Sequence, residues 1–184
     1  LIALDDCYGC GVCSAVCPVH IISMERNTDG FLRPVVREGD KCIRCGLCDS
    51  SCAYLGDGVT ETVPQAYSVR SLDSDILSAC SSGGAAYGLA LQRIADGGKV
   101  CGVRYDITEH GAKHYIASTV EELPPLQGSK YLPSDSSAAL RETPRGGANK
   151  MITGTPCQIA SVRTFPMLRN REDDFLRVDL FLPR

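Results

Sequence analysis

The hydrophobic pattern of this chain changes character near residue 65. Before that point one stretch has strand-like alternation, from His20 to Met24. A turn signal, Asn27-Thr28-Asp29-Gly30, follows it. Phe31 to Val36 then returns as the partner strand, and Pro34 marks that strand as an edge. Gly56-Asp57-Gly58 breaks the pattern and opens a linker that runs to about Pro64. From Ala66 onward, strand and helix patterns alternate. Ala66–Arg70 reads as a short strand, and Ser71-Leu72-Asp73 caps a helix that runs through Ala79. Ser81-Ser82-Gly83-Gly84 opens a small-residue helix from Ala85 to Ile94, which Gly97-Gly98 stops. Strands are predicted at Lys99–Tyr105, His114–Ser118, Lys150–Thr153 and Phe175–Phe181. A polar helix is expected near Ser134–Glu142, and Thr155-Pro156 opens another with Pro in its first turn. This alternation predicts a sheet covered on both faces.

The first 56 residues are organised by cysteine spacing instead. Cys7, Cys10, Cys13 and Cys17 stand at C-x₂-C-x₂-C-x₃-C with Pro18 directly after, and Cys42, Cys45, Cys48 and Cys52 repeat the spacing. This is the pattern of bacterial ferredoxins, in which the fourth Cys of each run serves the other run's cluster. On that rule Cys7, Cys10, Cys13 and Cys52 hold one [4Fe–4S] cluster, and Cys42, Cys45, Cys48 and Cys17 hold the second. Three cysteines two residues apart can cap three irons from one tight loop, and the fourth iron is reached from elsewhere. Gly9, Gly11 and Gly46 sit between ligands, where a side chain would crowd the cluster. Ile2, Val12, Val16, Ile21, Ile43 and Leu47 are expected to form an apolar shell that shields the clusters. Lys41 and Arg44 lie near the second cluster, either to favour its reduced state or as ordinary surface charges. Disulfides would need an oxidising compartment, and zinc favours two C-x₂-C pairs over triplets.

Composition narrows the function classes. The 184 residues suffice for one ordinary domain plus a small one, and 43 % hydrophobic residues can fill a core. Aromatics are only 6 %, Trp is absent, and the net charge is −3, which argues against nucleic acid as a partner. No apolar run reaches the length of a membrane span. The chain opens at Leu1 without Met or an export signal, so a processed or partial piece is expected. Eleven cysteines, eight of them in cluster spacing, suit a reducing interior, so the expected location is cytoplasmic, in low-oxygen metabolism.

Three stretches of the second half carry candidate chemistry. Ser81-Ser82-Gly83-Gly84 opens a helix, where backbone N–H groups approach a phosphate or simply form a capped turn. Gly154-Thr155-Pro156-Cys157-Gln158 lies at a strand-to-helix junction, where ligands settle in α/β sheets. Gln127-Gly128-Ser129-Lys130-Tyr131 carries a cation and hydroxyls on a loop. Cys80 and Cys101 lack spaced partners and read as core, while His20, His110 and His114 are scattered and form no ligand set.

In the order dicluster ferredoxin, SSGG, Glu121-Glu122-Leu123, QGSKY, Ser134-Asp135 and Thr153–Gln158, the chain resembles the family of beta subunits of coenzyme F420 hydrogenases and dehydrogenases. The resemblance runs from about Cys7 to Asp179. It implies an α+β protein: a two-[4Fe–4S] ferredoxin domain (1–56), a linker (57–64) and an α/β flavin-binding domain (65–184) that is incomplete at its C-terminus. It also implies FAD, and coenzyme F420 or another two-electron acceptor as substrate; flavin is implied more firmly than F420. Carried over, Ser82, Gly83 and Gly84 approach the FAD, and Lys130 neutralises a phosphate or the reduced ring. Thr155, Pro156, Cys157 and Gln158 line the isoalloxazine pocket. A helix N-terminus lowers a thiol pKa, and Cys157 is expected there; the alternative is a small packing residue. Two departures stand out. Ala53 occupies the position where ferredoxins repeat Cys-Pro, and Val178-Asp179-Leu180 stops short of the Cys-His-Gly loop and further domain of the family.

The expected activity converts one-electron transfer by clusters into two-electron chemistry at a flavin, between a small-molecule acceptor and a redox partner or catalytic subunit. No catalytic residue is singled out. One alternative is a pure electron-transfer subunit that docks a catalytic partner without its own flavin. Another is an oxygen sensor with Cys157 as a redox thiol.

Overall fold

The structure is a computed structural model that describes residues 7–56, 65–108, 110–145, 147–165 and 171–180. Ile2, the proposed linker 57–64 and the end of the last predicted strand at Phe181 lie outside the described residues.

Two antiparallel strands, β1 (Ile22–Arg26) and β2 (Leu32–Val36), form the hairpin read from the alternation, with Met24 opposite Pro34. Its turn closes as the Asn27 signal requires. The Asn27 side-chain oxygen accepts from the N–H of Asp29 at 3.1 Å and of Phe31 at 2.8 Å. Short helices α1 (Val12–Val16) and α2 (Leu47–Ser50) each carry the third cysteine of a run, Cys13 and Cys48. The first begins from Gly11 at φ 77° and the second from Gly46 at φ 73°, a left-handed conformation that favours glycine. Gly9 meets the same demand by close approach, because a Cβ there would stand 2.5 Å from the Leu32 carbonyl oxygen.

A five-stranded sheet makes up the centre of the second half, in the order β5-β4-β3-β6-β7. Its strands are β3 (Lys99–Asp106), β4 (Gly111–Ala117), β5 (Ser134–Asp135), β6 (Lys150–Gly154) and β7 (Phe175–Asp179). Strands β3 and β4 pair antiparallel, while β3–β6, β6–β7 and β4–β5 are parallel. The helices are α3 (Ser74–Ala79), α4 (Ala85–Ala95), α5 (Ser137–Glu142) and α6 (Pro156–Arg163). Asp73 caps α3 by accepting from the N–H of Asp75 and Ile76, as its position predicts. The predicted strand at Ala66–Arg70 does not form. That segment runs without sheet partners, and the Ser71 N–H instead donates to the Gly83 carbonyl at 2.7 Å.

Both sheet faces are covered, and strand alternation sorts the residues between them. On one face Val100, Ala117, Met151, Leu176 and Val178 pack with Ala90 of α4 and Leu123. On the other, Cys101, Ile152 and Phe175 pack with Leu140 of α5 and Ile159 and Val162 of α6. Val12, Ala15 and Val16 of α1 belong to this second cluster. The first cysteine run is therefore seated in the same apolar core as the sheet. Val12 is fully buried there, a contribution of about 1.5–3 kcal/mol for a side chain of its class. No described helix is long and apolar enough to cross a membrane.

Candidate cluster sites and a neighbouring cavity

The eight spaced cysteines fall around two cavities, and the grouping crosses the two runs. Cys17 joins Cys42, Cys45 and Cys48 around one cavity of about 440 Å³. Cys7, Cys10, Cys13 and Cys52 line a second, smaller cavity, which Cys48 also borders. Among the described residues no three His, Cys, Asp or Glu side chains converge to hold a single ion. A polynuclear cluster needs its thiolates arranged around a body of metal and sulfide instead, so a ring of four around a cavity fits that group.

The two sites differ in burial. Burial pushes the Cys13 thiol up to about 12, with the neighbouring Cys10 as the next cause. Cys10 is also raised by burial, against the Ser161 hydroxyl and the Val12 N–H, which favour its thiolate. The sulfurs of Cys157 and Cys52 push it further up. Ligation must displace these protons, so loading the site releases them. At the larger cavity Cys42 and Cys45 are exposed. Val12, Val16 and Ile21 form the shell expected of them, and Leu47 is half-buried. Ile43 departs from the expectation: it is 60 % exposed and lines the larger cavity. Lys41 pairs with Glu38 at 2.7 Å in solvent, and Arg44 lines the cavity at φ 53°.

The first cysteine run is hydrogen-bonded to the sheet half. The Ser136 hydroxyl, at the start of α5, donates to the Cys10 carbonyl. Arg141 donates to the Ser14 carbonyl at 3.0 Å. From α6 and its end, the Ser161 oxygen accepts from the Ala53 N–H at 3.1 Å, and the Thr164 hydroxyl donates to the Ser51 carbonyl at 2.9 Å. The first run is thereby tied to α5 and the second to α6, and the Cys10 sulfur also lies 3.5 Å from the Ser161 hydroxyl.

A third cavity, of about 420 Å³, opens on the opposite sheet face. Ser81, Ser82, Gly83 and Gly84 line it together with Gln127, Gly128, Ser129 and Thr153. Two of the three chemical stretches therefore meet. Ser81 joins them by accepting from the Ser129 N–H at 2.8 Å. Helix α4 begins at this cavity from Gly84, with no side chain capping its first N–H groups, so the helix end presents free donors and a favourable partial charge. Both glycines also answer to their own chain. A Cβ on Gly83 would stand 2.4 Å from the Val69 carbonyl oxygen, and one on Gly84 2.9 Å from Ile76. Lys130 stands beside the cavity, its amine donating to the carbonyls of Gln127 and Gly128, and burial lowers its pKa. Cys80, read as core, is half-buried and lines this cavity; Cys101 is core, with its thiol pushed up to about 12 by burial.

The third stretch does not join them. Thr155 and Gln158 form a capping box on α6, and Pro156 takes the first helical position. The Gln158 amide also donates to the Ser134 hydroxyl at 3.3 Å, where Gly154 leaves room for it. These residues sit on the face that carries α1, and Cys157 lies near Cys10, its sulfur 3.1 Å from the Thr155 hydroxyl. Strand alternation separates the two locations, because Thr153 faces the α4 cavity while the chain turns at Gly154 into α6 on the other side. Sequence reasoning missed Ser161 and Ser136. Neither carries a motif, and their roles arise from contacts more than 100 residues apart.

Eight cysteines ringing two cavities define an iron–sulfur protein, and residues 6–56 match the family of 4Fe-4S dicluster domains. The chain is 26 % identical over 171 residues to one of the subunits of the F420H2 dehydrogenase of Methanosarcina mazei, covering 86 % of this chain and 48 % of that protein. It also superposes on a chain of the F420-reducing [NiFe] hydrogenase complex from Methanosarcina barkeri, with a TM-score of 0.54 and 26 % identity over 61 % of this chain and 42 % of that one. The family resemblance read from the motifs is borne out: the chain is an iron–sulfur protein related to the F420 hydrogenases and dehydrogenases. It spans about half the length of the curated relative it matches.

Proposed function

We propose that this chain is the iron–sulfur and flavin-binding part of a cytoplasmic oxidoreductase that moves electrons between a redox partner protein and a two-electron acceptor such as coenzyme F420. The observation that carries the proposal is the crossed grouping of the cysteines, with one group set against the helix that leaves β6. Cys7, Cys10, Cys13 and Cys52 hold the inner cluster, and Cys17, Cys42, Cys45 and Cys48 hold the outer one. The exposed Cys42 and Cys45 put the outer cluster within reach of a partner. Ser82, Gly83, Gly84 and the first N–H groups of α4 bind an FAD phosphate, and Lys130 adds a positive charge beside them. Cys157, with Thr155, Pro156 and Gln158, stands at the start of α6 near Cys10 of the inner cluster, where it orders the path of electrons. Bound flavin supplies the exchange between one- and two-electron chemistry.

Both relatives are named for F420, which favours that acceptor. A second reading keeps the clusters and omits the flavin. It is favoured by Gly83 and Gly84, whose lack of side chains is accounted for by Val69 and Ile76 alone. Anaerobic reconstitution with iron, sulfide and FAD separates the two. Roughly eight irons and one flavin per chain support the full proposal; roughly eight irons without flavin support the second reading; fewer than about four refute both.

A further inference from the structure

Ser161 is fully buried on α6, four residues after Cys157, and its hydroxyl lies between the two cysteine runs. Its oxygen accepts from the Ala53 backbone N–H at 3.1 Å and lies 3.5 Å from the Cys10 sulfur. A hydroxyl has one proton to donate and two lone pairs. With Cys10 protonated, the thiol donates to the serine oxygen. As a cluster ligand Cys10 is a thiolate and can only accept. Ala53 already supplies a proton to the serine oxygen, so the one remaining hydroxyl proton points to the sulfur. The same contact explains Ala53. Proline is usual after the fourth cysteine, but it has no N–H and would leave Ser161 without the donor that orients it.

We propose that Ser161 is a positioning residue that sets the reduction potential of the inner cluster, donating its hydroxyl proton to the Cys10 sulfur while Ala53 holds its oxygen. The proposal rests on the assignment of Cys10 to that cluster. Reduction adds negative charge that spreads onto the ligand sulfurs, and a donor aimed at one of them stabilises the reduced form and raises the potential. The outer cluster has no described contact with Ser161 and stays unaffected. The residue therefore separates the potentials of two clusters that share one ligand pattern.

The test is an EPR-monitored redox titration of the reconstituted chain, with iron counted in every sample. Ser161→Ala is expected to keep the wild-type iron content and to lower one of the two midpoints, the electron affinity of that cluster falling about tenfold, or about 59 mV for one electron. The other midpoint stays in place, and Ser161→Thr, which keeps the hydroxyl, restores the first. If Ser161→Ala loads iron poorly, Ser161→Cys, a weaker donor of similar size, should move the same midpoint in the same direction by less. Full iron content with both midpoints unchanged, or both shifted alike, overturns the proposal. A wild-type chain that takes up fewer than about four irons overturns the cluster assignment itself, and this proposal with it.

Discussion

Gly11→Ala tests the joint between the first cysteine run and the sheet, and Gly46→Ala is its internal control. Both glycines lie between the second and third cysteines of a run and begin a short helix, at φ 77° and φ 73°. A left-handed backbone costs an alanine about 1–2 kcal/mol at either position. The gain from a stiffer unfolded chain is also shared by the two variants. Their surroundings differ. A Cβ at Gly46 meets nothing within 4 Å, whereas one at Gly11 stands 2.9 Å from the Ser136 oxygen, which donates to the Cys10 carbonyl. Displacing Ser136 loses that hydrogen bond, about 1 kcal/mol, and disturbs the start of α5. Gly11→Ala should therefore cost about 2–3 kcal/mol, and exceed Gly46→Ala by about 1 kcal/mol or more. Anaerobic guanidinium unfolding of the cluster-loaded protein, followed by circular dichroism and by cluster absorbance, measures both. The reasoning fails if Gly11→Ala costs no more than Gly46→Ala.

Two further predictions concern the cysteines and a buried histidine. Cys17→Ala and Cys42→Ala should each abolish the same EPR signal, and Cys52→Ala and Cys7→Ala the other; loss following the linear runs instead would refute crossed ligation. His114 is buried, with Nε2 against the Thr153 carbonyl at 3.2 Å, Nδ1 unpartnered and Asp135 as its nearest acidic influence; burial lowers its pKa to about 4. The folded state then binds fewer protons than the unfolded state between the two pKa values. The stability is fully present above about pH 6.5 and lost as pH falls toward 4, up to about 3 kcal/mol. Urea midpoints measured across that range should fall more steeply for the wild type than for His114→Gln, and equal slopes would refute the assignment.

Much of the local structure was legible because its causes are local. The hairpin follows from Asn27 and its turn, α3 from Asp73, and α6 from Thr155, Pro156 and Gln158. The same locality misled at Ala66–Arg70, where strand-forming residues found no neighbour to pair with. At Thr155–Gln158 the same residues start α6, and the sheet sets them on the opposite face from Ser82–Gly84.

The cysteine spacing determined by itself that two iron–sulfur sites are built here, because ligation by three residues of one tight loop is a property of spacing. The sequence also determined most strands and helices of the second half, Ala66–Arg70 and Ser134–Asp135 apart, because their periods and caps span only a few residues. Only the tertiary structure decided that Val12 and Val16 enter the core of the sheet, that the first cysteine run packs against α5 and α6, and that Ser161 joins Cys10 to Ala53. Each of these depends on which sheet face a helix covers. That is settled by packing between residues far apart in the chain, and no local period records it.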